Sequence, residues 1–345
     1  MKTVAMLSDI QGQPASLRQV CAHQFRAGAS DLRTAAVILS EARRIIFTGM
    51  GSSFFAALPA VHHLAAHGVV AEAMETAELL HFGLETVREG TAVVLVSRSG
   101  ETVEAMRVLP ELFKRGAKVI GVTNVAGSAL AHESPCSIFL NSLLDRMVAV
   151  QSYSASLAVL LLLAEAALRR SLDSFRGSLE DTCGLLEAAL PSAVAQSEAW
   201  VEFLREARVV HLMGRGPSLA SVHEGALLFN EAARTSSVAI SGAQFRHGPV
   251  EIVDSRLRAI VFASQPATRT LDLALASDLE AMGASVRVCD APGVPAPFQP
   301  LVEIVPVQVA ASALALSKGL DPGDFRFATL VTGTESGFQG PGAKN

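Results

Sequence analysis

A glycine-rich turn that follows an apolar, strand-like segment occurs twice in this chain at a nearly constant spacing. The first copy, residues 49–53, is Gly-Met-Gly-Ser-Ser, and the second, residues 214–218, is Gly-Arg-Gly-Pro-Ser, a shift of 165 residues. Two further segments recur with a shift of 167 residues: 92–97 as 259–264, and 116–119 as 283–286. Because a chance match of one turn would not keep its spacing to two strands, the sequence predicts a duplicated unit.

Strand-like runs of valine, isoleucine and leucine alternate with helical stretches along both copies. This alternation is typical of a parallel sheet covered on both faces, so the predicted fold is α/β with two doubly wound, flavodoxin-like units. The predicted strands are 44–48, 69–71, 92–96, 119–123, 137–140, 209–213, 237–239, 259–263, 286–289 and 301–304. The predicted organisation is an N-terminal helical arm (1–30), a first domain (31–180), a helical connection (181–200), a second domain (201–330) and a tail (331–345).

Composition and cysteine use exclude several kinds of partner and site. The 345 residues are 50% hydrophobic and carry a formal net charge of −5 without basic clusters, which disfavours nucleic-acid binding. The four cysteines form no CxxC pair, and His63 and His67 lack further ligands for a metal shell, so neither a metal nor a cofactor is predicted. The chain shows no signal peptide or membrane span, and we expect a cytoplasmic homodimer.

Hydroxyl side chains collect where two predicted strands end. Ser52 and Ser53 follow the first strand, and residues 97–102, Ser-Arg-Ser-Gly-Glu-Thr, follow the strand at 92–96. A helical pattern begins after each turn, and the free N–H groups of a helix N-terminus favour an anion such as a phosphate monoester. Helix capping by the two serines is the alternative. A dinucleotide site fits less well, because Phe54 stands where that motif has its third glycine.

The second copy of this turn system has diverged. Its segment 264–267, Ser-Gln-Pro-Ala, lacks the hydroxyls and the glycine of residues 97–102. We therefore expect one strong sugar-phosphate site per subunit rather than two.

Two glutamates lie seven residues apart on a predicted helix that is otherwise apolar. Glu224 and Glu231 project from one face of that helix. A carboxylate that is half-buried among apolar side chains has a raised pKa, which suits it to abstract a proton from carbon. Capping or ion pairing is the alternative role, above all for Glu224.

Four motifs follow one another in a fixed order: Gly-x-Gly-x-Ser at 49–53, Ser-x-Ser-Gly-Glu-Thr at 97–102, Glu-Gly-Ala-x-x-x-x-Glu at 224–231 and Arg-His-Gly-Pro at 246–249. This order resembles the double sugar-isomerase (SIS) proteins, of which the isomerase half of glucosamine-6-phosphate synthase is the best known. The resemblance covers nearly the whole chain. It implies two tandem SIS domains, a homodimer with an active site shared between subunits, and phosphosugar isomerase chemistry.

The resemblance also implies roles for the residues that match. Glu231 would move a proton between C1 and C2 of the sugar, His247 would open the sugar ring, and Glu224 is a second catalytic candidate. The residues expected to bind the phosphate are Ser52, Ser53, Ser97, Ser99, Thr102 and Ser152, and those expected to contact the rest of the substrate are Gly51, Arg98, Gly100 and Gln151.

The chain departs from the synthase pattern at two lysines, whose positions hold Leu228 and Leu330. It also shows no N-terminal nucleophilic cysteine or glutaminase domain, so no glutaminase activity is expected. The predicted function is isomerisation of a hexose 6-phosphate that carries an amino or amine-linked group, with or without deamination. The alternative, which the missing lysines favour, is a non-catalytic regulatory protein that binds a sugar phosphate.

Overall fold

A computed structural model describes residues 5–327, 329 and 331–336, and the chain divides into two compact units. The first-sheet unit comprises residues 15–144, 151–177 and the described residues from 325 onward, and the second-sheet unit comprises residues 5–14, 145–150 and 178–324. Each unit contains one parallel sheet flanked by helices, which confirms the predicted α/β fold. Residues 337–345 of the predicted tail lie outside the described residues, as do Leu330 and residues 1–4.

The first sheet contains five strands: β1 (Arg44–Gly49), β2 (Ala71–Glu75), β3 (Thr91–Val96), β4 (Lys118–Thr123) and β5 (Cys136–Phe139). The second contains four: β6 (Val210–Gly214), β7 (Ser237–Ser241), β8 (Arg258–Phe262) and β9 (Ser285–Cys289). The helices are α1 (Ala5–Gln24), α2 (Ala29–Glu41), α3 (Ser52–Phe55), α4 (Leu58–Ala66), α5 (Thr76–Glu78), α6 (Val103–Lys114), α7 (Ala129–Glu133), α8 (Gln151–Ala167), α9 (Leu172–Ala195), α10 (Ser197–Leu204), α11 (Leu219–Glu231), α12 (Gly242–Phe245), α13 (Arg269–Ala281), α14 (Gln299–Glu303) and α15 (Val305–Ser317).

The first sheet has the flavodoxin-like strand order β2-β1-β3-β4-β5, with all neighbouring strands parallel. Gly49 pairs with Val96, and Val96 pairs with Val122, so β1, β3 and β4 end at the same level. The strand order reverses between β1 and β3, and open parallel sheets bind ligands outside the carboxyl ends of the strands at such a point. The turns after β1 and β3 occupy this position.

The second sheet repeats the first four strand positions in the order β7-β6-β8-β9. The duplication extends to the backbone of the turns, since Gly51 and Gly216 have φ values of 51° and 56°. The strand predicted at 301–304 is wrong: residues 301–303 lie in α14, which has Pro300 in its first turn, and Ile304 is its C-cap residue. Proline has no N–H to donate to a sheet but is tolerated at the start of a helix.

Apolar side chains fix both sheets to their helices. In the first-sheet unit, Val93 and Leu95 of β3 pack in one buried cluster with Val108 and Leu112 of α6. Full burial of such side chains stabilises the fold by about 1.5–3 kcal/mol each, which gives the turn before α6 a rigid base. In the second-sheet unit, the stretch Gln299–Ser317 is apolar enough to cross a membrane, but 78% of it is buried inside the protein, as in a core helix.

Candidate functional site

The turn after β1 leads directly into a helix without a side-chain cap. Gly51 occupies the N-cap position of α3, with φ of 51°, and no side chain makes a capping hydrogen bond there. A Cβ on Gly49 would approach the Cβ of Ser53 to 3.0 Å, so a glycine lets the helix begin close to the strand end. Ser52 and Ser53 are half-buried. Because Gly51 holds the N-cap position, neither serine is the N-cap residue of α3.

The turn after β3 is held together by its own hydroxyl groups. The buried Ser97 Oγ accepts a hydrogen bond from the Gly100 N–H at 3.1 Å and lies 2.9 Å from Thr102 Oγ1. Ser99 Oγ accepts a hydrogen bond from the Glu101 N–H at 3.2 Å. Thr102 is the N-cap residue of α6, but its side chain makes no capping hydrogen bond. The turn thus orders hydroxyls beside a helix N-terminus without using Thr102 to cap that helix.

Gly100 is required by this conformation for two reasons. Its φ is +68°, in the region that residues with a side chain rarely adopt. A Cβ there would also lie 2.1 Å from Ser128 Oγ, which is too close for any real contact. The Gly100 carbonyl accepts a hydrogen bond from the Leu130 N–H at 3.0 Å, so the turn packs directly against α7.

The backbone of Arg98 joins this turn to the end of β4. Its carbonyl accepts hydrogen bonds from the Thr123 hydroxyl at 3.2 Å and from the Asn124 N–H at 3.0 Å. The Glu101 carboxylate accepts a hydrogen bond from the Ala129 N–H at 2.7 Å, at the start of α7. Both contacts restrain the turn on the side away from β1.

The first turn of α8 supplies the remaining residues predicted for this unit. Gln151 and Ser152 are buried, with 4% and 3% exposure. The Gln151 side chain donates a hydrogen bond to the Leu144 carbonyl at 3.4 Å. The structure therefore places all ten residues predicted to bind substrate within one unit, on two turns at neighbouring strand ends and one helix start.

Part of the predicted C-terminal tail is attached to α6. The Thr332 carbonyl accepts a hydrogen bond from the Val103 N–H at 3.0 Å, and Val103 is the first residue of α6. Glu335 forms ion pairs with Arg107 and, at 3.1 Å, with His81. No sequence pattern predicted these contacts, because they join residues more than 200 positions apart in a segment without periodicity.

A carboxyl group that was not predicted lies beside the turn after β1. Glu75 ends β2 and pairs in register with Gly49. Burial raises the pKa of Glu75, and the negative charges of Glu78 and Glu104 raise it further. This edge of the sheet therefore presents a carboxyl group that gains a proton more readily than an exposed glutamate.

The predicted catalytic glutamates lie on α11 in the second-sheet unit. Glu224 is fully buried, whereas Glu231, the last residue of the helix, is half-buried. Leu228, which stands at the position of a synthase lysine, is also buried, with 1% exposure. Seven residues at about 1.5 Å each separate the two carboxylates by roughly 10 Å along the helix axis, so they cannot act on the same atom.

His247 lies far from Glu231 within one chain. α11 begins after β6 at the carboxyl edge of the second sheet and runs to the opposite edge, where Glu231 ends it. β7 then returns to the carboxyl edge, and the exposed His247 follows it in the turn after α12. From the rise per residue of helix and strand, we place the two side chains on the order of 20 Å apart.

Two residues that were not predicted anchor the ends of α11. Near its start, Ser221 donates a hydrogen bond to the Glu303 carboxyl group at 2.8 Å. Beyond its end, Lys318 donates hydrogen bonds to the Thr235 hydroxyl at 2.6 Å and to the Ala233 carbonyl at 3.2 Å, and partial burial lowers the pKa of Lys318. In each of these hydrogen bonds the two residues lie more than 80 positions apart in the sequence, which hides both anchors from any local pattern.

Within the described residues, no three His, Cys, Asp or Glu side chains are arranged to hold a metal ion. His63, one of the two histidines considered for that role, instead makes a 2.6 Å hydrogen bond to Glu165.

Comparison with known proteins identifies a SIS domain at residues 38–166. Glutamine–fructose-6-phosphate aminotransferase (isomerizing) 1 of Arabidopsis thaliana is 27% identical over 350 residues, which cover 91% of this chain and 51% of that protein. The chain thus spans about half the length of the curated relatives it matches.

Solved structures show the same fold over nearly the full length. The C-terminal domain of glucosamine-fructose-6-phosphate aminotransferase from Francisella tularensis aligns with a TM-score of 0.83 and 20% identity, and covers 92% of this chain and 97% of that one. Glucosamine-6-phosphate deaminase from Thermotoga maritima aligns with a TM-score of 0.76 and 21% identity, and covers 95% and 99%. At these identities the similarity concerns the fold.

Proposed function

We propose that this protein is a cytoplasmic phosphosugar isomerase that acts on an amino or amine-linked hexose 6-phosphate by proton transfer between C1 and C2, with or without deamination. The observation that carries this proposal is the pair of hydroxyl-lined turns at the carboxyl ends of β1 and β3, each leading into a helix whose N-cap residue makes no side-chain capping hydrogen bond, within the segment that matches a SIS domain. The second-sheet unit is proposed to be a second SIS domain, since it repeats the strand order and the positive φ of the turn glycine.

The phosphate is proposed to bind between the two turns. Ser52 and Ser53 offer hydroxyls from the first, and Ser97, Ser99 and Thr102 offer hydroxyls from the second. The hydrogen bonds among Ser97, Gly100 and Thr102 hold these groups in place before the ligand arrives, which lowers the entropic cost of binding. Gly51, Arg98, Gly100, Gln151 and Ser152 are proposed to complete the site.

Glu231 is proposed to be the base. It is half-buried, so a substrate can reach it, whereas the fully buried Glu224 is closed to solvent in this conformation. In the forward direction, the Glu231 carboxylate takes the proton from C2 of the open-chain aldose, the C–H electron pair forms the C1=C2 double bond, and the C1 carbonyl oxygen gains a proton. This gives an enediol or, with an amine on C2, an enolamine. Glu231 then returns a proton to C1 while the hydroxyl or amine on C2 loses one, which gives a ketose or a ketimine. In the deaminating branch, water hydrolyses the ketimine to the ketose and ammonia. We assign to Glu224 a supporting role on the same helix.

The active site is proposed to be shared between the subunits of a homodimer. Glu231 and His247 lie at opposite ends of the second sheet, on the order of 20 Å apart by helix and strand rise, which is too far for both to act on one sugar. His247 of the partner subunit can meet this requirement, because the histidine is exposed on its own chain. It would move the proton that opens the sugar ring.

The names of the similar proteins support the amine-bearing substrate class. One relative is an aminotransferase and one similar structure is a deaminase, and both names specify sugar phosphates. The alternative of a non-catalytic sugar-phosphate-binding regulator is favoured by one observation, the buried Leu228 where the synthase has a lysine.

Proton exchange distinguishes these functions. Hexose and amino-hexose 6-phosphates are incubated with the protein in deuterated water, and loss of the C1 or C2 proton signal is followed by NMR. The enzyme should exchange one of these protons with at least one sugar phosphate, and Glu231→Gln should bind that sugar phosphate yet slow the exchange by about two to four orders of magnitude. Binding without exchange by the wild-type protein would instead establish the regulator, and absence of binding would contradict both.

A further inference from the structure

The second-sheet unit contains a hydroxyl-lined turn that corresponds to the phosphate turn of the first. Gly216 repeats the positive φ of Gly51, and Ser218 stands at the position of Ser53. The side chain of Ser218 is fully buried and donates a hydrogen bond to Glu303 Oε2 at 3.1 Å. The donors that could face an anion are therefore still present, but one of them points at a carboxyl group of the same chain.

A second hydroxyl binds the other oxygen of that carboxyl group. Ser221 donates to Glu303 Oε1 at 2.8 Å, and both side chains are fully buried. The buried hydroxyl of Ser264, which corresponds to Ser97, makes no hydrogen bond among the described residues, but it lies near enough to this carboxyl group to oppose the rise of its pKa. Glu303 thus accepts hydrogen bonds from the turn after β6 and from the first turn of α11.

The other polar groups of this turn system are also engaged within the chain. Arg215 forms an ion pair with Asp272, whose second oxygen accepts a hydrogen bond from Thr268 at 2.8 Å. Gln265 donates to Ser218 Oγ at 3.0 Å. The guanidinium, the amide and the Ser218 hydroxyl are therefore engaged within the chain, and the Ser264 hydroxyl is the one group of this set that is buried without a hydrogen-bond partner among the described residues.

We propose that the Glu303 carboxyl group is a built-in ligand that occupies the position in the second-sheet unit that corresponds to the phosphate site of the first, so that this unit binds no sugar phosphate and each chain binds one. α14 delivers this carboxyl group at its last residue, from the segment that replaces the fifth strand of the first sheet. The contact with Ser221 also fixes the start of α11, three residues before Glu224. Without the Glu303 side chain, the site is expected to accept a small carboxylic acid.

Removal and replacement of the carboxyl group test this proposal in the full chain. Glu303→Ala deletes a methylene carbon and a carboxylate, and acetate supplies the same groups as a free ligand. At pH 5, where the Glu303 carboxyl group is protonated in the folded state and a large part of the free acetate is acetic acid, acetate buffer should restore about half or more of the loss in thermal midpoint, since a ligand that binds only the folded state stabilises it. Acetamide, which has the same shape and is also neutral, should restore a comparable part, whereas sodium chloride at equal ionic strength should restore much less.

Two controls show whether acetate acts at the site of the missing Glu303 side chain. Wild-type protein should gain nothing from acetate, and Glu303→Ala combined with Ser221→Ala should lose most of the rescue. If Glu303→Ala does not fold alone, dilution from urea into acetate, acetamide or chloride gives the same comparison through the yield of folded protein. Equal recovery in sodium chloride and acetate, or no recovery in acetate, would overturn the proposal.

The number of sugar-phosphate molecules bound per chain provides a second test, which rests on the proposed function. Calorimetric titration with the sugar phosphate that exchanges protons should give one ligand per chain, and two ligands per chain would contradict the proposal. If no sugar phosphate binds at all, the proposed function fails, while the acetate experiment still decides the role of Glu303.

Discussion

The buried carboxyl group of Glu303 should make the second-sheet unit less stable as the pH rises from about 4.5 to 7. Burial raises the pKa of Glu303 to about 7 from its ordinary value of 4.5, against the opposing effect of hydroxyls from Ser264, Ser221 and Ser218. Asp272 adds a further rise, and the Cys289 thiol is the other titratable neighbour that senses this charge. The folded state therefore holds the Glu303 proton more tightly than the unfolded chain does.

The sign and size of the effect follow from linkage. Below pH 4.5 the Glu303 carboxyl group is protonated in both the folded and the unfolded state, and its full contribution to the free energy of unfolding is present. As the pH rises towards 7, the unfolded chain has lost this proton and the folded state has not, so the free energy of unfolding falls. A difference of about two and a half pH units, at about 1.4 kcal/mol per unit, gives a loss of roughly 3 kcal/mol by pH 7.5.

The single tryptophan provides the assay. Trp200 is buried, with 4% exposure, in the same unit as Glu303, so its fluorescence in urea reports the unfolding of that unit. Glu303→Gln keeps the shape and the hydrogen-bonding capacity but does not titrate. The difference in free energy of unfolding between wild type and this variant should change by roughly 3 kcal/mol between pH 4.5 and 7.5, in favour of the variant as the pH rises. A difference that stays constant over this range would refute the argument, because contributions from other groups, such as the raised pKa of Asp9, cancel in the comparison.

Further predictions concern the two turns and the proposed catalytic pair. Ser97→Ala with Ser99→Ala should remove hydrogen bonds worth about 1.5–3 kcal/mol each to a charged ligand and so abolish the thermal shift caused by a sugar phosphate, whereas Ser264→Ala should leave that shift intact. Gly100→Ala should destabilise the protein by more than about 1–2 kcal/mol, the cost of left-handed backbone alone, and Gly127→Ala, where a Cβ meets nothing within 4 Å, should have little effect. Mixed subunits of inactive Glu231→Gln and inactive His247→Asn should regain activity, and a persistent absence of activity after proven subunit exchange would show that the site is not shared.

The first sheet could be predicted from the sequence because each of its main strands is marked by a pattern of neighbouring residues. Strands such as β3 are continuous apolar runs that end at or just before a glycine or serine. The register of β1, β3 and β4 places the ends of these strands side by side, so their proximity follows from the parallel sheet alone. The role of Gly100 was also accessible, since a glycine inside a hydroxyl-rich turn signals positive φ. By contrast, β2 runs from Ala71 to Glu75, later than the predicted 69–71, because this edge strand lacks a continuous buried run.

The separation of Glu231 and His247 could not be predicted from their spacing of 16 residues. Their separation arises because a helix and a strand carry the chain across the sheet and back, so residues close in sequence end at opposite edges. Pairing of motifs along a sequence therefore does not show that two residues act in the same copy of a site.

The expectation of one phosphate site per chain had a different physical basis from the one that the structure suggests. From the sequence, the second turn system was expected to bind poorly because it had lost hydroxyls. In the structure, Ser218 and Ser264 remain in place, and Ser221 adds a third hydroxyl. The difference from the first turn system is the group that accepts hydrogen bonds from the Ser218 and Ser221 hydroxyls. In the second-sheet unit it is the carboxyl group of Glu303, which lies 85 residues after Ser218. A duplicated binding site can thus be closed by a gain of an internal ligand as well as by a loss of donors, and only the tertiary fold distinguishes the two.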